Sequence, residues 1–173
     1  MIEKHLETET KPLPVASVGR VASLHVHPVE PGAPLPAVEL INVVADKGVA
    51  EDRRYFDRRQ RAGRKPNRRQ ITLIEREQIA AHAAALGLNT IAPGAVRANI
   101  ETVGINLQDL VGREVEIGEA VLFCYEPRKP CSKMDAICQG LRELMQEGRQ
   151  GVLAEVVKSG KIRPDDIIRA RTI

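Results

Sequence analysis

Glu126-Pro127-Arg128-Lys129-Pro130-Cys131-Ser132 separates two kinds of structure in the second half of the chain. Before it, residues 112–118 and 120–126 read as the two arms of a hairpin. After it, a helix is expected from Lys133 to about Glu147, ended by Gly148. The segment itself is stiffened by two prolines, carries two cations between them and ends on a thiol. Ser132, with Asp135 three residues on, has the form of an N-cap with a capping-box-like partner. That places Cys131 just before a helix N-terminus. The partial positive charge there, together with Arg128 and Lys129, favours thiolate over thiol.

Working outward, the chain reads as strands joined mostly by short turns. Residues 15–27 form an imperfectly alternating strand, and Pro28 to Pro36, with four prolines and a glycine, is a turn. Residues 38–44 form a second strand. Gln70 to Ile74 is a short strand, and Thr72-Leu73-Ile74-Glu75 also has the form of a capping box. A helix should follow from about residue 73 to Leu86, ended by Gly87. Val96 to Thr102 reads as a strand on which Arg97 and Asn99, two apart, project from one face. Leu107 to Val111 is a helical turn, and residues 152–158 and 167–170 close the chain as a last pair of strands. Short strands with turns between them and two main helices predict a mainly β fold with helices, a closed antiparallel barrel in preference to a parallel sheet.

At 173 residues the chain is long enough for one ordinary domain. Residues 1–14 read as a frayed terminal tail and 15–173 as the folded domain. That terminus lacks a signal-peptide apolar stretch, and no apolar run approaches the roughly 20 residues of a membrane span, so the expected location is the cytosol. Three cysteines without close pairing argue against a disulfide framework or a structural zinc site. The net charge of +3 is unevenly spread. Between Arg53 and Arg69 lie nine Arg or Lys and one acid, so the rest of the chain is net acidic. This stretch lacks apolar periodicity and reads as a loop that steers anions. Nucleic-acid contact is the lesser reading, because no aromatics are interleaved for base stacking.

Several segments taken together, in this order, resemble the MOSC domain, the module named for the C-terminal part of molybdenum-cofactor sulfurase. They are Gly48-Val49-Ala50-Glu51-Asp52-Arg53, Arg69-Gln70-Ile71-Thr72-Leu73-Ile74, Pro93-Gly94-Ala95-Val96-Arg97-Ala98-Asn99-Ile100, Gly112 to Gly118, Arg128-Lys129-Pro130-Cys131, and Gly151 to Ile162. The similarity covers about residues 18 to 170 and is greatest to short free-standing bacterial members. It implies a barrel of the type found in the pyruvate kinase barrel domain. It also implies a pocket cysteine that ligates the molybdenum of a bound pterin cofactor or carries sulfur. Related proteins reduce N-hydroxylated compounds. Carried over by position, Cys131 is the reactive thiol and molybdenum ligand, and Arg53, Arg97, Asn99 and Arg128 line the cofactor pocket. Arg54 stands where the family often has histidine, and Pro164-Asp165-Asp166 replaces a turn that usually has glycine before an aspartate. The resemblance brings no pyridoxal-phosphate desulfurase domain and no flavin or ferredoxin motif. A reductase of this kind takes a small-molecule substrate and draws electrons from a partner; a sulfur carrier needs a sulfur-donor protein.

Read without the resemblance, Cys131 is set apart from an ordinary buried cysteine by its cationic, proline-flanked surroundings. A soft thiolate suits a molybdenum–sulfur centre and equally a persulfide, and the residues do not choose between them. Cys124 reads as core. Cys138, seven residues on, would be about 10 Å away along a continuous helix, out of disulfide reach. His25 and His27 share a strand face, but two ligands make a poor metal site, so they read as structural, as does His82. The alternative to an enzyme or carrier is a non-catalytic barrel that presents its basic loop to an anion or a partner.

Overall fold

The tertiary structure, a computed structural model, describes residues 18–60, 63 and 65–172. The expected tail over 1–14 and the start of the first strand lie outside the described residues. The chain forms β1 (Val18–His25), β2 (Ala37–Val38), β3 (Ile41–Val44), β4 (Gly48–Val49), β5 (Ile71–Glu75) and α1 (Arg76–Ala85). It continues with β6 (Ile100–Val103), a 3₁₀ turn (Leu107–Leu110), β7 (Arg113–Ile117), β8 (Ala120–Pro127), α2 (Lys133–Ile137) and α3 (Leu141–Leu144). It ends with β9 (Val152–Lys158), β10 (Gly160–Ile162) and β11 (Ile167–Ala170).

Seven strands close into a barrel in the order β11-β7-β8-β9-β5-β6-β1, with β1 returning to β11 through Val18 opposite Arg169. β2 adds to the rim of β1, and β10-β3-β4 form a separate small sheet. The expected single strand over 38–44 is therefore two, because the chain changes sheet at Glu39–Leu40. The barrel is mixed, not purely antiparallel as expected, since β5 and β6 run parallel with Leu73 opposite Ile100. The reason is the connection: α1 carries the chain back, and a crossover of this length is what a parallel pair needs. All five residues of β5 are buried. They must be when a sheet has a helix on one face and the barrel core on the other.

That two-sided burial gives two cores. Val21, Leu24, Ile71, Leu73, Ile100, Leu122 and Ile168 are among those filling the barrel. Ile74, on the outer face of β5, begins a second cluster with Ile79, Val96, Ala98, Met134, Leu141 and Met145. This outer core packs α1 against the 93–98 turn and α2, so burial of apolar area holds together the two segments that carry Arg97 and Cys131.

Local expectations fail where the backbone leaves regular geometry. The helix expected over Lys133–Glu147 is broken into α2 and α3, because Cys138 is extended and Gly140 takes φ 91°. Ser132 is itself helical and makes no capping bond, and Asp135 accepts from the backbone N–H of Arg142 instead. The capping box at Thr72 is also absent: Thr72 lies inside β5, and Glu75 at the helix start makes no capping bond. Cys131 does precede a helix start, since α2 begins at Lys133, but that helix is five residues long and lacks the expected cap. The spacing argument for Cys138, which needed a continuous helix, falls away.

Candidate functional site

Asp52 stands among cations in the sequence, yet it is buried, 1% exposed. Five donors converge on its carboxylate. The backbone N–H groups of Arg54 and Tyr55 reach Oδ1 at 3.0 Å each. The backbone N–H and Nδ1 of His27, at 3.3 and 2.6 Å, and Nδ2 of Asn99, at 3.0 Å, reach Oδ2. Burial alone would raise this carboxyl's pKa, but the bonds from His27, Tyr55 and Asn99 and the charge of His27 outweigh it and hold the group at about 2.

Asn99 is committed in full. Its Oδ1 accepts from the backbone N–H and the hydroxyl of Thr72, and its Nδ2 donates to His25 O and to Asp52. It ties β5, β1 and the loop after β4 together. The other buried histidines are structural too: His25 pairs with Ser23 Oγ at 2.8 Å and meets Leu35 O, and His82 donates to Arg149 O at 2.7 Å.

With Asp52 fixed, Tyr55 follows. Its ring takes the edge of His27 at 4.8 Å and the guanidinium groups of Arg54, Arg58 and Arg69 at 5.6, 5.4 and 4.8 Å. Arg68 leaves this group for Glu155 and the ring of Tyr125. Arg69 Nε is buried and has no hydrogen-bond partner among the described residues.

Arg128 lies at the centre of the cations. It is buried, donating to the carbonyls of Val96 and Arg97 at 3.2 Å each. Burial, together with the positive charges of Arg69 and Arg97, lowers its guanidinium to about 10, while Cys131 and Tyr55 act in the opposite sense. Tyr55, Arg69 and Arg97, all distant from Arg128 in sequence, thus act on its charge together with its near neighbour Cys131. Cys131 is exposed, Cys138 half-buried and Cys124 buried, where desolvation pushes its thiol up to about 12.

Arg97 does not share a strand face with Asn99. β6 begins only at Ile100, and Arg97 adopts φ 64°, in the left-handed region. For a residue with a side chain that conformation costs about 1–2 kcal/mol. The turn sends its guanidinium to Ala33 O while the amide of Asn99 enters the Asp52 network. The Arg97 side chain lines a pocket of about 390 Å³ with Lys133 of α2. Arg53 is exposed, and its neighbour Asp52 is the buried member of the pair. Sequence reading missed Asp52, His27, Tyr55, Arg69 and Lys133. The one usable signal was a lone Asp-Arg step at the start of the basic stretch.

A closed mixed barrel of seven strands, carrying an exposed thiol and buried arginines, defines the class. Residues 57–169 match the family model for the MOSC domain, and the chain belongs to that family. Three solved structures share the fold. A YuaD protein from Bacillus subtilis is 18% identical with TM-score 0.78, covering 91% of this chain and 98% of its own. YiiM from Geobacillus stearothermophilus is 19% identical with TM-score 0.68, covering 89% and 75%. YiiM from Escherichia coli is 20% identical with TM-score 0.63, covering 91% and 70%. At such identities the likeness is one of fold alone. No protein of curated function matches the chain. No helix among the described residues is long and apolar enough to cross a membrane.

Proposed function

We propose that this chain holds a molybdenum–pterin cofactor, or sulfur as a persulfide, at Cys131, and acts on an N-hydroxylated or sulfur-containing small molecule. The observation that carries the reading is the buried Arg128 guanidinium, which lies within the fields of Arg69, Arg97, Tyr55 and Cys131. The residues fit an anionic, thiol-bound group on two counts. Cys131 presents an exposed soft donor, the type that suits a molybdenum–sulfur centre. Arg69 keeps a buried, unpartnered Nε beside Tyr55, a donor that a phosphate oxygen would satisfy. Among the described residues no cluster of three or more His, Cys, Asp or Glu could hold a metal ion by itself. A single thiol ligand on a cofactor-borne metal agrees with that.

When bound, the cofactor supplies two-electron redox chemistry at molybdenum. Cys131 would ligate it, while Arg69 and Arg128 would orient and neutralise its anionic part. Arg97, whose carbonyl accepts from Arg128, turns its side chain to the pocket it lines with Lys133. Asn99 and His27 hold Asp52, which positions Tyr55 and through it the cations. As a reductase the chain would receive electrons from a partner protein; as a carrier it would receive sulfur from a donor protein.

The test is metal and mass analysis of protein made in cells competent for the cofactor. Stoichiometric molybdenum, lost in Cys131→Ser, supports the ligand role. Persulfide on Cys131 without molybdenum supports the carrier role. If neither is present, and Cys131 is alkylated no faster than a free cysteine, the proposal fails and a non-catalytic anion-binding barrel remains.

A further inference from the structure

We propose that the pocket between the 32–34 loop, the 95–97 turn and α2 binds a small organic acid with a flat apolar body. As the substrate site beside Cys131 it rests on the reading above; as a binding site it stands by itself. The pocket holds about 390 Å³. That is near the lower end of the roughly 300–1,000 Å³ of ligand sites, so it suits a one- or two-ring compound. Its walls are apolar at Pro34, Ala95, Ala136 and Ile137, and it carries two cations, Arg97 and Lys133. Among the described residues no carboxylate lines it. Among the described residues neither cation is in an ion pair.

The arginine is the informative member. Arg97 is 8% exposed. Its charge is thus mostly removed from water without an acid to offset it. One guanidinium N–H is spent on Ala33 O, which fixes the plane of the group against the loop and leaves the remaining donors for a ligand. Its backbone is held in the left-handed region by its own N–H to Gly94 O at 3.1 Å and by Arg128 on its carbonyl. A strained residue held from both sides, with a charge facing a pocket, is a common mark of a binding position. A planar guanidinium fork matches a carboxylate, and the Lys133 ammonium adds a second, adjustable donor. Ile137, 37% exposed on α2, offers the ligand an apolar face.

The walls are preorganised, which lowers the cost of binding. Leu35 donates to Gly94 O at 3.2 Å and accepts from the His25 ring at 3.3 Å, so the loop and the turn are tied to each other and to β1. Met134, in the outer core, fixes α2 from beneath.

The probe is 2-naphthoate, whose fluorescence is read cleanly because the chain has no Trp. The expected result is saturable binding to the full chain at pH 7, with neutral 2-naphthol at least about tenfold weaker, the equivalent of one charged contact. Lys133 and Ala136 are both exposed. Lys133→Glu and Ala136→Glu should each weaken naphthoate about tenfold or more. Absence of saturable binding, equal affinity for the naphthol, or unchanged affinity in Lys133→Glu would overturn the proposal. Naphthoate binding without molybdenum or persulfide leaves this site standing and removes the cofactor reading. Molybdenum without naphthoate binding does the reverse.

Discussion

Replacing Asp52 by asparagine should cost the protein much of its stability near neutrality and progressively less in acid. The Asp52 carboxyl titrates at about 2 in the folded chain against 3.8 unperturbed. Each pKa unit is worth about 1.4 kcal/mol, so the ionised form stabilises the fold by roughly 2 kcal/mol. The sign follows from the direction. A depressed folded pKa gives stability that is present in full above pH 3.8 and lost as pH falls towards 2. Asparagine adds a part that does not depend on pH. Five donors face the two carboxylate oxygens. An amide offers only one acceptor oxygen, so at least two N–H groups would meet an NH₂. Opposed or unpartnered buried donors cost about 1–3 kcal/mol. The expected total at pH 5 is therefore about 3–5 kcal/mol, falling by about 2 kcal/mol at pH 2. Urea unfolding followed by far-ultraviolet circular dichroism at a series of pH values from 5 to 2 measures it, since no Trp is available as a probe. A cost below about 1 kcal/mol at pH 5, or the same cost at both ends of the series, refutes the argument that this carboxylate is the ionised anchor of the loop.

Further substitutions address single positions. A Cβ built at Gly94 lies 2.2 Å from Leu35 O and 2.9 Å from His25 Nδ1, on a left-handed backbone. Gly94→Ala should therefore destabilise by about 3 kcal/mol or more in the same assay. Gly63 is also left-handed, but among the described residues nothing lies within 4 Å of a Cβ built there. Gly63→Ala should cost only the backbone part, about 1–2 kcal/mol, and equal costs at the two positions would refute the close-approach argument. Glu75 is buried with Oε2 unpartnered, and burial raises its carboxyl above the usual range despite the bond from the Leu107 N–H. A raised folded pKa means that stability falls as pH climbs past the unfolded value, so Glu75→Gln should stabilise near pH 7 and not at pH 4. A gain that is the same at both pH values would show that ionisation of Glu75 is not the cause.

The hairpin of β7 and β8 was legible because it needs only local signals, alternation over residues 113–127 about one turn, and β9 and β11 likewise. Cys124 read as core and lies buried; Cys131 read as set apart and lies exposed. The expected helix over 133–147 failed at Gly140, whose left-handed conformation is a tertiary choice that closes α3 onto the outer core. Arg97 failed as a strand residue for a similar reason. Its left-handed φ is sustained by a local bond to Gly94 and by one from Arg128, which lies far outside any short window of sequence.

Sequence alone determined the mainly β class, the family pattern and the uneven charge, because periodicity, turn residues and motif order are properties of the chain itself. Tertiary structure decided three things. It made one strand pair parallel by routing the chain through α1. It turned Asp52, at the acidic edge of the basic stretch, into the buried anchor of the loop. And it brought Arg97, and with it the charge of Arg69, to Arg128. Each depends on which distant groups exclude water from one another. Burial of that kind converts an ordinary surface charge into one that must be answered by a partner or a ligand.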